Sequence, residues 1–211
     1  MNILVLVSGS GTNLQALLDA ERAGRFKADN GADGDSAGRI AAVVSDRSGV
    51  YALERAKKAG VPALVEEPDK NLQKDKRREE LSDRILNIAR EYRAGLIILA
   101  GFLSILRGKI LVEFDGSIIN IHPSLLPKYG GEGMYGPKVH EAVLAAEEKE
   151  SGCTVHIVDA GTDTGPILLQ RKVPVLKDDT AESLAGRIHN EEHIAIVEAA
   201  ILMLKKKEKQ Q

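Results

Sequence analysis

Tryptophan is absent from this 211-residue chain, aromatic residues make up 3% of it, and cysteine occurs once, as Cys153. One cysteine excludes an intramolecular disulfide and fits a reducing compartment, so a cytoplasmic protein is expected. No run of about 20 apolar residues is present and the opening does not read as a secretory signal, so neither membrane nor export is expected. No sign of charge dominates. A formal net charge of −2 offers no basic field for nucleic acid. The run Lys205-Lys206-Lys207-Glu208-Lys209 reads as a solvated helix end without function.

What is present is a globular balance of 43% apolar and 28% charged residues, at a length that suits one domain spanning residues 1–211. The candidate linker, residues 29–39, is rich in Gly, Asp, Ala and Ser, but only about 30 residues precede it, too few for a core. It reads as a long surface loop with no assigned role.

The apolar run at residues 3–7 is followed by Ser8-Gly9-Ser10-Gly11-Thr12-Asn13 and then by Leu14, Leu17 and Leu18 at helical spacing. Strand, tight turn and helix recur. Strands are expected at 40–44, 63–65, 96–99 and 117–121, with helices at 51–59, around Leu81, Ile85, Ile88 and Tyr92, at 110–114, and at 137–146. Strands that do not alternate apolar with polar are buried on both faces, which predicts an α/β fold with a mostly parallel twisted sheet and helices on each side. Ligands then belong at the carboxyl ends of the strands. The last third breaks the rhythm: strands at 154–158 and 167–175 are joined by a polar loop, an antiparallel addition. The final helix is expected to start with a capping box of Asp179 and Glu182 and to bury Ile194, Val197, Ile201 and Leu204.

The turn Gly9-Ser10-Gly11-Thr12-Asn13 lets backbone approach a ligand where a new helix presents unpaired N–H groups, a place for a monophosphate. The alternative is a plain turn with Thr12 or Asn13 as helix cap. It completes neither the dinucleotide fingerprint, which needs glycine where Leu14 stands, nor the triphosphate loop, which needs a lysine. In Ile118-Ile119-Asn120-Ile121-His122-Pro123, Asn120 and His122 are two residues apart on a strand and project to the same face. Asp163, in Gly161-Thr162-Asp163-Thr164-Gly165-Pro166, either closes a turn or aims a carboxylate at that pair. Together an amide, an imidazole and a carboxylate provide an oxyanion donor and proton-transfer groups for acyl transfer. No nucleophile elbow surrounds Ser8 or Ser10, so direct attack by a substrate amine is expected. His189 and His193 lack the intervening glutamate pattern of a zinc helix, and no metal is expected.

These segments, with Leu99-Ala100-Gly101-Phe102-Leu103-Ser104-Ile105-Leu106, Asn120-Ile121-His122-Pro123-Ser124-Leu125-Leu126-Pro127 and Asp163-Thr164-Gly165-Pro166-Ile167, resemble the phosphoribosylglycinamide formyltransferase family over nearly the whole chain. The resemblance implies a Rossmann-like formyltransferase fold and transfer of a formyl group from 10-formyltetrahydrofolate, a co-substrate, to the amine of phosphoribosylglycinamide in purine synthesis. It implies ribotide binding by Gly11, Thr12, Asn13, His189, Asn190, Glu191 and Glu192. It implies folate binding by Arg78, Leu103, Ser104, Ile105, Leu106, Asn120, Asp159, Ala160, Gly161, Thr162 and Asp163. Asn120 and protonated His122 would hold the oxyanion, with Asp163 raising the pKa of His122 and moving a proton.

Three positions depart from the family's commoner residues: Ser104 stands for an arginine, Ala160 for an acid and His189 for a glutamine. The rivals are a formyl-folate hydrolase, a formyltransferase acting on methionyl-tRNA, which would be expected to bring a further nucleic-acid-binding domain and a more basic charge, and a folate-binding module without turnover. Partners are expected to be small molecules, with the chain a monomer or homodimer. The loop 128–136, with four glycines, is expected to be mobile.

Overall fold

The computed structural model describes residues 1–27 and 38–208. Most of the candidate linker at 29–39, and Lys209 of the basic run, therefore lie outside the described residues.

The first strand, β1 (Asn2–Val7), shows why the sheet forms as it does. Ile3, Leu4, Val5, Leu6 and Val7 are all fully buried. Because side chains alternate along a strand, Ile3, Val5 and Val7 pack with α1 (Thr12–Arg22), while Leu4 and Leu6 face the opposite core. Burying each such side chain contributes roughly 1.5–3 kcal/mol relative to exposure.

The chain continues through β2 (Arg39–Ser45), α2 (Tyr51–Lys58), β3 (Ala63–Val65), α3 (Lys74–Glu91), β4 (Ala94–Leu99), α4 (Lys109–Glu113) and β5 (Ile118–His122). It ends with α5 (Pro137–Ala145), β6 (Glu150–Ile157), β7 (Ile167–Pro174) and α6 (Ala181–Glu208). The seven strands lie in the order β3-β2-β1-β4-β5-β6-β7. All pairings among β1 to β5 are parallel, and β6 and β7 add antiparallel. Apolar residues of α1, α2, α5 and α6 form one core cluster with the sheet and those of α3 and α4 the other, so helices cover both faces as expected.

From β1 the chain steps outward to β2 and β3, then crosses back so that β4 lies on the other side of β1. The turns leaving β1 and β4 therefore diverge to opposite faces and open a crevice at their carboxyl ends, the place where open α/β sheets bind ligands. Ser8 bridges the two turns: its N–H donates to Gly101 O at 3.1 Å, and its hydroxyl accepts from the Leu103 N–H at 2.8 Å.

Two expectations for α6 change. Its cap lies one residue later: Ser183 N–H donates to Thr180 Oγ1 at 3.1 Å and Thr180 N–H to Ser183 Oγ at 2.9 Å, a reciprocal capping box. Asp179 instead holds Arg187 with both carboxylate oxygens, at 2.8 and 2.9 Å. Ile194 is 41% exposed, on the face of the helix turned away from Ala195, Ile196 and Ala199. Val197 and Leu204 are buried as expected.

Candidate active site

A cavity of about 960 Å³ occupies the crevice. It is lined by the turn 9–13, the segment 99–106 after β4, Asn120 and His122 of β5, the glycine-rich loop 131–136, and His189 and Glu192 of α6.

At one end stands the start of α1. Gly11 has φ 73°, in the left-handed region, and no side chain caps the helix. Neither Thr12 nor Asn13 takes the capping role. Asn13 is nearly buried and donates to Glu192 Oε2 at 3.4 Å, leaving its own Oδ1 without a partner among the described residues. The first N–H groups of α1 thus remain available at the positive end of the helix, a ready place for an anion. Arg55, which no local signal in the sequence singled out, braces the turn by donating to Ser10 O and Gln15 Oε1, each at 2.9 Å.

At the centre, Asp163 stands with φ 59° in its turn. Four polar groups face its carboxylate. Oδ2 accepts from the Gly131 N–H at 2.9 Å and lies 3.5 Å from His122 Nδ1. Oδ1 accepts from Asn120 Nδ2 at 3.4 Å and lies 3.5 Å from His156 Nε2. Asn120, His122 and Asp163, separated by about forty residues of chain, do meet.

His156 was not among the expected site residues. It lies directly across from Asn120 in the antiparallel β5–β6 register, with its Nε2 3.1 Å from Asn120 Nδ2. Strand pairing brings it there, and no local motif announces it. Its Nδ1 is 2.8 Å from Ile157 O, so Nδ1 carries a proton and donates there.

The Asp163 charge acts to raise the pKa of His122, as expected, but does not decide it in the free protein. Burial outweighs the opposing influence of the Asp163 charge and the Tyr129 carbonyl, and pushes the imidazole below its ordinary 6.5. Its Nε2 lies 2.8 Å from Tyr129 O, so the neutral ring carries its proton on Nε2 and turns the lone pair of Nδ1 toward Asp163. Burial acts to raise Asp163, but hydrogen bonds from His156 and the Gly131 N–H hold it below the usual carboxylate range. The resting site is a neutral imidazole beside an ionised carboxylate, a pair able to take up and pass on a proton.

Gly11, Thr12, Asn13, Arg78, Leu103, Ser104, Ile105, Leu106, Gly161 and Thr162 all line the cavity. Asp159, Ala160, Asn190 and Glu191 do not. Asp159 closes its own turn, accepting from Gly161 N–H at 3.0 Å and Thr164 Oγ1 at 2.7 Å. On α6 the helical repeat puts His189 and Glu192 on the cavity side, while Glu191 turns outward to pair with Arg171. Ser104 donates to the buried Asp46 at 2.7 Å, a partner absent from the sequence reading. Glu192 is 4% exposed, and burial raises its carboxyl above the ordinary range against the pull of His189 and Asn13. Among the described residues, no group of three or more His, Cys, Asp or Glu is placed to hold a metal ion.

Fold and site together define a doubly wound α/β protein with an uncapped helix start and an Asn-His-Asp cluster in one crevice at the switch point. The sequence profile of the family described as "Formyl transferase" matches residues 1–200, and the chain belongs to that family. It is 38% identical over 194 residues to phosphoribosylglycinamide formyltransferase of Haemophilus influenzae, covering 90% of this chain and 81% of that protein. It is 43% identical over 203 residues to the trifunctional purine biosynthetic protein adenosine-3 of Drosophila melanogaster, covering 96% of this chain but spanning only 14% of the fly protein's length. The crystal structure of glycinamide ribonucleotide transformylase 1 from Symbiobacterium toebii superimposes with a TM-score of 0.83 at 43% identity, covering 98% of this chain and 88% of that one.

Proposed function

We propose that the chain is a cytoplasmic formyltransferase of one domain that transfers the formyl group of 10-formyltetrahydrofolate to the amine of phosphoribosylglycinamide, a step of purine synthesis. The observation that carries this reading is the convergence of Asn120, His122 and Asp163 in the same cavity as the uncapped start of α1. The names of the relatives support the choice of substrates.

In this reading the ribotide phosphate sits on the N–H groups that open α1, and its hydroxyls meet Glu192 and His189. The folate heterocycle lies in the apolar slot of Leu103, Ile105 and Leu106, beside the 161–163 turn. The glycinamide nitrogen attacks the formyl carbon, and the carbonyl oxygen becomes an oxyanion. Asn120 answers it by turning an Nδ2–H from His156 or Asp163 toward the new charge. His122, neutral at rest, gains proton affinity as the oxyanion forms beside it. Asp163 accepts the proton that the attacking amine loses and returns it, directly or through a water, to the folate nitrogen as the bond from that nitrogen to the formyl carbon breaks. No acyl-enzyme is formed, and the chain's groups end in the protonation states in which they began.

The test is product analysis by mass spectrometry with the formyl donor alone and with donor plus ribotide. The expected product is formylated ribotide, formed only when both are present. Equal release of formate in both reactions would replace this reading with a folate hydrolase, and binding of donor without turnover would make the chain a binding module.

A further inference from the structure

The glycine-rich loop carries one acid, Glu132, which neither the anion turn nor the proton-transfer cluster uses. Its carboxylate is held by two cations of α3, Lys74 and Arg78, the latter at 2.7 Å. Arg78 is the inner partner, 15% exposed against 48% for Glu132, and both line the main cavity. Arg78 also opens on an adjoining cavity of about 550 Å³, in whose wall Arg47, Lys70, Lys74 and Arg77 outnumber the two acids Asp46 and Glu67. Hydrogen bonds from Arg78 and Lys74 push the Glu132 carboxyl down to about 2, so it is ionised throughout the working range. This end of the crevice is cationic, and its innermost guanidinium already holds a carboxylate that the chain supplies.

We infer that Glu132 is an internal competitor for the acidic tail of the formyl donor, a carboxylate seated on Arg78 and Lys74 that the tail's own carboxylates must displace. The inference rests on the reading of the cavity as a reduced-folate site, since a folate ends in glutamate. Glu132 takes Arg78 through Nη2, so a tail carboxylate that grips the same edge of the guanidinium must displace it. Adding the tail without exchange would place like charges within a few ångströms of each other. Exchange keeps the cations paired and releases the loop at Glu132. That loop is also fastened to the proton-transfer cluster, through Tyr129 O on His122 and the Gly131 N–H on Asp163. Occupation of the tail site is thereby felt one residue away from a contact to the reacting centre.

Calorimetric binding of two compounds to the full chain tests this: folate, and the same pteridine-aminobenzoyl compound with an uncharged amide in place of glutamate. For Glu132→Gln, folate should bind about 2- to 5-fold tighter than to the parent chain, as loss of a partly exposed competing ion pair allows, and the amide should bind unchanged. The gain should shrink with added salt and vanish in an Arg78→Gln background. Equal tightening of both compounds would mean a generally loosened loop, and no change in either would mean no competition; each overturns the inference. If the parent chain binds neither compound, the folate reading itself fails and the competitor role falls with it.

Discussion

Asp163 gathers contacts from β5, β6 and the glycine-rich loop, whereas Asn120 divides its amide between His156 and Asp163. An amide donor so engaged must be freed to meet an oxyanion, and removing it should be costly only in the transition state. Asn120→Ala is expected to lower kcat by roughly 10²–10³-fold with a smaller change in KM, as steady-state kinetics would measure. A second expectation concerns pH. His140 is buried beside the cavity, and desolvation, with His189 and His122 nearby, pushes its imidazole down to about 4 from 6.5. Folding favours its neutral form, so this contribution is complete above pH 6.5 and is lost as pH falls toward 4. His122 and His193, also lowered by burial, add loss in the same direction. Urea unfolding across that range should show stability falling with pH, and His140→Gln should remove roughly 2–3 kcal/mol of the fall. An unchanged slope in that variant would mean that His140 does not titrate on unfolding.

The β1–α1 turn works only with glycine at its last position. A Cβ on Gly11 would stand 2.7 Å from Ala52 Cβ and 2.8 Å from Ala52 Cα, and the backbone there already has φ 73°. Gly11→Ala should therefore cost roughly 1–3 kcal/mol in urea unfolding and weaken binding of a phosphate-bearing ligand more than that of folate. Elements of this kind were legible in the sequence because they are local. The apolar run of β1, the glycines after it and the i, i+2 pairing of Asn120 with His122 all follow from chain spacing. What escaped was set by partners distant in sequence. His156 reaches Asn120 through antiparallel register, Arg55 reaches the turn from α2, and Glu132 reaches α3 across the crevice. Within α6, family resemblance carried a contiguous stretch, yet the helical repeat turned Asn190 and Glu191 away from the cavity and kept His189 and Glu192 beside it. The capping box slipped by one residue because Asp179 is taken by Arg187, leaving Thr180 and Ser183 to close the helix.

Seen as a whole, the molecule places the uncapped start of α1 and the apolar slot after β4 in one crevice with the Asn120, His122 and Asp163 cluster. The parallel part of the sheet supplies the anion turn and the slot after β4, while the antiparallel addition brings His156 and the Asp163 turn against β5. No helix among the described residues is long and apolar enough to cross a membrane. In the proposed reaction this arrangement transfers a formyl group between two small molecules with Asp163 as the proton-transfer group. Asp163→Asn is the sharpest variant, because asparagine tolerates the left-handed backbone that position 163 adopts and can keep much of the turn's geometry. The decisive measurement is ribotide-dependent deformylation of 10-formyltetrahydrofolate, followed optically, for the parent chain and for Asp163→Asn with its fold verified by circular dichroism. Turnover is expected in the parent and a loss of roughly 10²–10⁴-fold in the folded variant. Full activity in Asp163→Asn, or deformylation by the parent that does not depend on ribotide, would contradict it.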